Sequence, residues 1–182
     1  IEKTAALFNS KGYAGTSLHD ITEATGLTKG SIYGNFGGKD EVALAVFDHN
    51  IKQVTGILKS EISKQVTIRE KLMVYADVYT NFQKFPFPEG GCPMLNTAVE
   101  ADDTHPGLKQ KAKEAILSWK KSIVQLIEKG IENKEIVTGV DWDFFKPSRA
   151  SVVQTTCIPL LSNISAKNWQ KVSSSSTFRT RT

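Results

Sequence analysis

Residues 15–36 read GTSLHDITEATGLTKGSIYGNF. Ser17 and Asp20 have the spacing of a capping box, which predicts that a helix begins just after Ser17. Gly26 predicts the end of this short helix, and Thr28 is placed to cap the next one. Two short helices joined by a turn of three or four residues that contains glycine have the dimensions of a helix-turn-helix.

A further helix precedes this stretch. Ile1, Ala5 and Phe8 recur at helical spacing, and Gly12 suits the left-handed residue just past a helix end. We expect this helix to start before Ile1, so that the first domain lacks its N-terminal start. The side chains predicted to face the core from the next two helices and their turn are Leu18, Ile21, Ala24, Leu27, Ile32 and Phe36.

The segment after the turn has the chemistry of a recognition helix, which in this motif enters the major groove of DNA. It offers a lysine for phosphate, three hydroxyl groups for hydrogen bonds and two glycines that allow close approach, namely Lys29, Thr28, Ser31, Tyr33, Gly30 and Gly34. No acidic residue lies between Glu23 and Asp40, so this surface does not repel phosphate. On spacing alone, a polar surface helix weakened by glycine remains the alternative.

The same stretch resembles the DNA-binding domain of the TetR/AcrR family of transcriptional repressors. The matched positions are Lys11-Gly12-Tyr13, Thr16-Ser17, Asp20-Ile21, Ala24, Gly26-Leu27, Lys29-Gly30-Ser31-Ile32-Tyr33, Asn35-Phe36 and Lys39-Asp40-Glu41. The resemblance implies that the start of the recognition helix, which includes the readers of base edges, is formed by Thr28, Lys29, Gly30 and Ser31. It implies that Tyr33 and Lys39 bind phosphates of one strand. It also implies that Thr16 and Ser17 contact the DNA backbone on the other side.

The overall composition fits a globular protein, with 40% hydrophobic and 23% charged residues. No apolar run approaches the roughly 18–20 residues that a membrane span needs, so we predict no contact with a membrane. With only Cys92 and Cys157, a disulfide scaffold is not indicated, and we expect a cytoplasmic protein. The net charge of +4 says little about DNA, because six of the 23 basic residues lie from Lys146 onward, where no acidic residue occurs.

The rest of the chain predicts long helices, so the fold is expected to be all-α. Uninterrupted helical patterns run from Lys39 to about Lys64 and from about Ile68 to Lys84, and they resume after the break at 85–93. Asp102, Asp103 and Thr104 precede His105-Pro106, and this stretch is predicted to form the cap and first turn of a further helix. We therefore expect a helix-turn-helix domain at 1–38 and a helical-bundle regulatory domain at 39–145.

The resemblance to TetR-type repressors implies that the bundle encloses a small-molecule effector, whose identity the sequence does not reveal. Candidates for its pocket, chosen by position alone, are Tyr75, Tyr79, Phe82, Met94 and Trp119. Each of them has plain core as its alternative. Cys92, close to a predicted helix start, suggests a redox-sensing thiol, for which an inert cysteine is the alternative. His105 beside Asp102 and Asp103 is better explained by helix capping than by metal, so we predict no metal and no cofactor.

Residues 146–182 do not fit the family. They form an atypical basic tail rich in serine and threonine where a TetR-type protein is expected to have its dimerisation helices. The tail is either genuine or the product of a reading-frame shift near codon 146, which resequencing of the gene would decide. A homodimer is expected from the family and is placed in doubt by this tail.

The function predicted from the sequence is that of a ligand-released repressor that binds an inverted-repeat operator in double-stranded DNA as a homodimer. An enzyme is disfavoured, because there is no nucleophile elbow, phosphate loop or metal-ligand cluster. The three histidines, His19, His49 and His105, are scattered. An activator, or a non-specific DNA-binding protein without an effector, remains the alternative.

Overall fold

The protein was analysed as a computed structural model that describes residues 1–101 and 104–136. Within these residues the chain forms seven α-helices and no strand, so the prediction of an all-α fold is confirmed. The helices are α1 (Glu2–Lys11), α2 (Leu18–Thr25), α3 (Lys29–Asn35), α4 (Lys39–Ser63), α5 (Ile68–Thr80), α6 (Pro93–Glu100) and α7 (Pro106–Glu132). None of the described helices has the length and apolar character of a membrane span.

The helix bounds follow most of the sequence predictions. Helix α4 runs over 25 residues, as predicted. The predicted helix from Ile68 to Lys84 is wrong at its end, because α5 stops at Thr80 and a 3-10 turn follows at Phe82–Lys84. The atypical tail at 146–182, together with Asp102 and Asp103, lies outside the described residues.

The chain divides into two compact units. The first comprises Ile1–Ile57 with Pro86–Ala115, and the second comprises Leu58–Phe85 with the described residues from Ile116 onward. Both α4 and α7 therefore contribute to each unit. This division by compactness differs from the predicted bounds of 1–38 and 39–145. The assignment of DNA binding and regulation to those two ranges stays a prediction. We call α1–α3 the head.

In the first unit the head packs on α4 through an apolar cluster. The buried members are Ala5, Phe8, Ile21, Ile32, Val42, Ala43, Val46, Phe47, Ala101, Leu108 and Ala112. Two predicted core positions are wrong, because Ala24 is exposed and Leu27 is 49% exposed. At about 100° per residue, Ala24 points roughly 90° away from the mean direction of Leu18 and Ile21. Leu27 lies outside the helix and is only half covered.

The second unit is closed by contacts between the start of α5 and the end of α7. The backbone N–H of Ile68 donates to the Glu135 carboxylate at 2.7 Å. A Cβ on Gly130 would lie 2.5 Å from the side chain of Ile136 and 2.9 Å from that of Ile68. Only glycine at this position lets these two isoleucines pack against α7.

Candidate DNA-binding site and effector site

Two side-chain caps define the helix-turn-helix geometry. The Asp20 backbone N–H donates to the Ser17 hydroxyl at 3.1 Å, and the Ser17 backbone N–H donates to the Asp20 carboxylate at 2.7 Å. Gly26 ends α2 in the left-handed conformation, with φ 72° and ψ 11°. The Thr28 hydroxyl then accepts the Ser31 backbone N–H at 3.1 Å. The predicted capping box, stop and third-helix cap are all confirmed.

The capping carboxylate is held in its charged form. Lys11 Nζ donates to Asp20 at 2.8 Å. This hydrogen bond, together with those from Ser17, holds the pKa of Asp20 well below its usual range. The negative charge therefore stays at the N-terminus of α2, where the helix dipole favours it.

Helix α3 presents a polar face outward. Ile32 anchors it, with only 2% of its surface exposed, whereas Tyr33 is 55% exposed. The other exposed positions on and around α3 are Thr28, Lys29, Gly30, Gly34 and Asn35, with Ser31 partly buried. Within the described part of the chain, the Lys29 ammonium has no hydrogen-bond or ion-pair partner. These residues are placed where DNA could reach them, and their contacts with bases and phosphates remain a prediction.

Thr16 has an internal partner that the sequence did not reveal. Its side chain is fully buried and its hydroxyl donates to the Gly12 carbonyl at 2.7 Å. The hydroxyl therefore stabilises the turn between α1 and α2, and the predicted contact of Thr16 with the DNA backbone stays a prediction. Ser17, its neighbour, is exposed, and its predicted contact with the DNA backbone stays a prediction.

Lys39 has internal partners that the sequence did not reveal. Its Nζ donates to the carbonyls of Tyr13 and Thr16, both at 3.0 Å, and lies 4.0 Å from the centre of the Tyr13 ring. An ammonium has three N–H donors, so one of them remains for the predicted phosphate contact. Lys39 thus has a structural role in addition to its predicted binding role.

Tyr13 likewise has partners that the sequence did not reveal. Its hydroxyl donates to Asp40 at 2.5 Å, and this hydrogen bond, with burial, raises the pKa of Tyr13 to about 12. Its ring makes a T-shaped contact with His105 at a centroid distance of 4.6 Å. Its backbone N–H donates to Glu100 at 2.8 Å. The motif Lys11-Gly12-Tyr13 signalled the position of Tyr13 but none of these partners.

The cap of α7 agrees with the prediction at His105 and differs from it at Thr104. His105 Nδ1 accepts the backbone N–H of Leu108 at 3.1 Å, so His105 itself caps the helix. Thr104 uses its hydroxyl to donate to the carbonyl of Glu100 at 2.7 Å. The prediction that Thr104 belongs to the cap is wrong, since its hydroxyl is bound to the end of α6.

Three of the five predicted effector residues come together in the second unit. Trp119 makes T-shaped contacts with Tyr75 and Tyr79, at centroid distances of 5.8 and 6.0 Å. The hydroxyls of Tyr75 and Ser122 are hydrogen-bonded at 2.9 Å, and burial raises the pKa of Tyr75. The buried indole N–H of Trp119 has no hydrogen-bond partner among the described residues.

The predictions for Met94, Phe82 and Cys92 are not decided by this cluster. Met94 lies on α6, which belongs to the first unit. The side chain of Phe82 lies outside the described residues. Cys92 directly precedes α6 and is partly buried, so its predicted position near a helix start is confirmed. Its redox role stays a prediction.

Helices α2 and α3 are both short and capped, and α3 exposes a polar face. This arrangement is that of a helix-turn-helix, the motif of a class of DNA-binding proteins. Residues 1–46 match the family model described as bacterial regulatory proteins, tetR family. Residues 69–147 match the model described as tetracyclin repressor-like, C-terminal domain. The chain belongs to the TetR family of DNA-binding transcriptional regulators, and it is not an enzyme.

Individual relatives agree with this assignment. A TetR-family transcriptional regulator from Cytophaga hutchinsonii is 54% identical, with a TM-score of 0.73 over 77% of this chain and 70% of that one. An uncharacterized HTH-type transcriptional regulator from Lactococcus lactis subsp. lactis is 30% identical over 143 residues, which are 75% of this chain and 67% of the relative. FadR from Bacillus subtilis, solved in complex with stearoyl-CoA, shares the fold at 19% identity and a TM-score of 0.56, covering 77% of this chain and 73% of that one.

Proposed function

We propose that this regulator is a repressor that binds an inverted-repeat operator as a homodimer and is released by a small-molecule ligand. The observation that carries the DNA-binding part is the outward face of α3. Lys29 and Tyr33 are exposed there, and the acidic residues nearest in sequence are Glu23 and Asp40. Such a face can enter the major groove and meet both base edges and phosphates.

A two-fold dimer explains how so small a head can select one site. One recognition helix reads only a few base pairs, and two heads joined by a symmetric interface read two half-sites about one helical turn apart. The protein would act in the cytoplasm, where such operators lie. The tail at 146–182, which lies outside the described residues, stands where the family resemblance implies the dimer contact.

The aromatic cluster of Tyr75, Tyr79 and Trp119 is the proposed effector site. Its flat rings would pack against an apolar ligand, and the Trp119 N–H would donate to a carbonyl or ether oxygen of that ligand. The stearoyl-CoA bound by FadR combines a long apolar chain with a carbonyl group, which supports this chemistry. In one state of the dimer the spacing of the two heads does not match the two half-sites. Release from DNA follows if the ligand binds this state more tightly than the operator-bound state.

Selection of genomic DNA fragments by the purified protein at about 150 mM salt tests the operator, because weak electrostatic binding is suppressed there. We expect a palindrome with half-sites roughly one helical turn apart. Equal recovery of all fragments would instead identify a non-specific DNA-binding protein. A transcription assay on the selected promoter would separate a repressor from an activator.

The effector site is tested on the selected DNA with stearoyl-CoA as the first probe, followed by other acyl and aromatic carbonyl compounds. For a compound that releases wild-type protein, Trp119→Phe should keep the DNA affinity and require about tenfold more ligand, since one buried donor is lost. An unchanged ligand requirement would remove Trp119 from the site.

A further inference from the structure

The turn between α1 and α2 is held by a carboxylate from far along the chain. Glu100, the last residue of α6, accepts the backbone N–H of Tyr13 at 2.8 Å and that of Ala14 at 2.7 Å, across 87 and 86 residues of sequence. A Cβ on Gly12 would lie 2.4 Å from a Glu100 oxygen. Gly12, at φ 74°, therefore makes room for this carboxylate as well as adopting a conformation that favours glycine.

Lys39 binds the same turn with the opposite charge. It donates to the carbonyls of Tyr13 and Thr16, whereas Glu100 accepts from the N–H groups. The turn that leads into α2 is therefore bound by one anion and one cation, from two different helices. Its position fixes the start of the helix-turn-helix.

Both charges are unfavourably placed for their own helices. A carboxylate at the C-terminus of α6 and an ammonium in the first turn of α4 each oppose the helix dipole. Within the described residues, Glu100 has no ion-pair partner. Helix stability therefore does not explain why Glu100 and Lys39 occupy these two positions. Their hydrogen bonds with the turn do explain it.

A second contact lies one helical turn earlier on α6. Asn96 Nδ2 donates to the Asn9 carbonyl at 3.1 Å and to the Gly90 carbonyl at 2.8 Å. Asn9 Nδ2 in turn donates to the carbonyls of Glu89 and Gly91, at 2.6 and 3.0 Å. The end of α1 is thus attached to α6 and to the loop before it by polar contacts along one side of α6.

We propose that Glu100 is a positioning residue for DNA binding, which ties the turn at 12–17, and with it the helix-turn-helix, to α6. Helix α6 falls within the region matched by the C-terminal-domain model, yet it belongs to the same compact unit as the head. A displacement of α6 therefore moves the start of α2. The proposal rests on DNA binding by the head and does not depend on the nature of the effector.

Hydrogen exchange of the full-length protein without DNA tests the attachment. Glu100→Gln keeps the size of the side chain, but its amide can accept only one N–H well and presents its own N–H₂ group to the other. We expect exchange in residues 13–25 to be about tenfold faster or more, with exchange in α5 unchanged. Glu114→Gln, the same change at an exposed carboxylate on α7 that accepts from Gln110, is the matched control and should change neither.

The link to DNA is tested by the same measurement with the selected operator. Because coupling between two sites is reciprocal, operator binding should slow exchange in α6 of the wild type, and this protection should disappear in Glu100→Gln. Unchanged exchange in residues 13–25 of Glu100→Gln would overturn the proposal. Equal acceleration in α5 would overturn it too, since Glu100 would then only stabilise the whole protein. If no operator is found, the proposed repressor function fails, while the measurement without DNA still decides the attachment.

Discussion

Gly34→Ala should make the protein more stable and bind DNA more weakly. No atom lies within 4 Å of the position that a Cβ at Gly34 would take, so the methyl group fits without strain. Alanine is favoured over glycine in a helix by about 0.5–1 kcal/mol, which corresponds to a rise in Tm of roughly 2 °C for a protein of this size. Gly30 is open as well, with Thr28 Oγ1 at 3.8 Å as its nearest neighbour, and Gly30→Ala should behave alike.

The loss in DNA binding follows from the proposed role of these glycines. If they let the α3 backbone approach the groove, a methyl group on that side displaces a base contact, which is worth about 1–3 kcal/mol, or roughly fivefold to more than a hundredfold in affinity. The salt dependence should keep its slope, because no charge is removed. Stability and affinity should therefore change in opposite directions.

The assay combines thermal unfolding with fluorescence anisotropy on the selected operator. Gly56→Ala is the matched control, since Gly56 lies in α4 with nothing within 4 Å of its Cβ position. The control should gain stability and keep its DNA affinity. Wild-type affinity in both α3 variants would refute the close approach of the α3 backbone to the groove. A loss of stability in either variant would refute the free space at the Cβ positions of Gly30 and Gly34.

Four further changes have expected outcomes. Lys39→Met should lower both Tm and DNA affinity, because the ammonium holds two backbone carbonyls, whereas Lys29→Met should lower the affinity for the selected operator and leave Tm unchanged. Thr28→Ala removes the α3 cap and should cost about 1 kcal/mol in urea unfolding. Tyr13→Phe should abolish the tyrosine that titrates near pH 12 in ultraviolet absorbance. Because the folded state raises this pKa, wild-type stability should fall from about pH 10 upward, and the variant should lack that part of the fall.

The features that the sequence predicted well are local. The capping box at Ser17 and Asp20, the stop at Gly26 and the cap at Thr28 each depend on residues within a few positions of one another. The 25 residues of α4 were readable for the same reason, because helical spacing of apolar residues repeats along the segment. Such signals define the elements of the head without knowledge of their neighbours.

The features that the sequence missed depend on distant parts of the chain. Glu100 looks like any acidic residue at a helix end until it is placed against Tyr13, 87 residues earlier. Thr16 and Lys39 were assigned to DNA by family resemblance, and only their burial and hydrogen bonds reveal that they hold a turn. Leu27 was expected in the core, and its 49% exposure is set by the three-dimensional packing around the turn.

The clustering of the effector candidates could be predicted only in part. Tyr75 and Tyr79 share a side of α5 because they are four residues apart, so their proximity could be predicted. Their contact with Trp119 on α7 could only be guessed. Met94 was chosen by its place in the sequence, which carries no information about which compact unit contains it.

The central claim is that α3 reads base edges, and selection of DNA by a variant tests it most directly. Lys29 is exposed on α3, and Lys29→Ala keeps the helix and the Thr28 cap. The account predicts that DNA selected by this variant has the same half-site spacing as wild-type DNA, with a changed or relaxed preference at one or two positions in each half-site. A consensus identical to that of the wild type at every position, with affinity lowered equally for all sequences, would contradict base reading by Lys29 and reduce it to a phosphate contact.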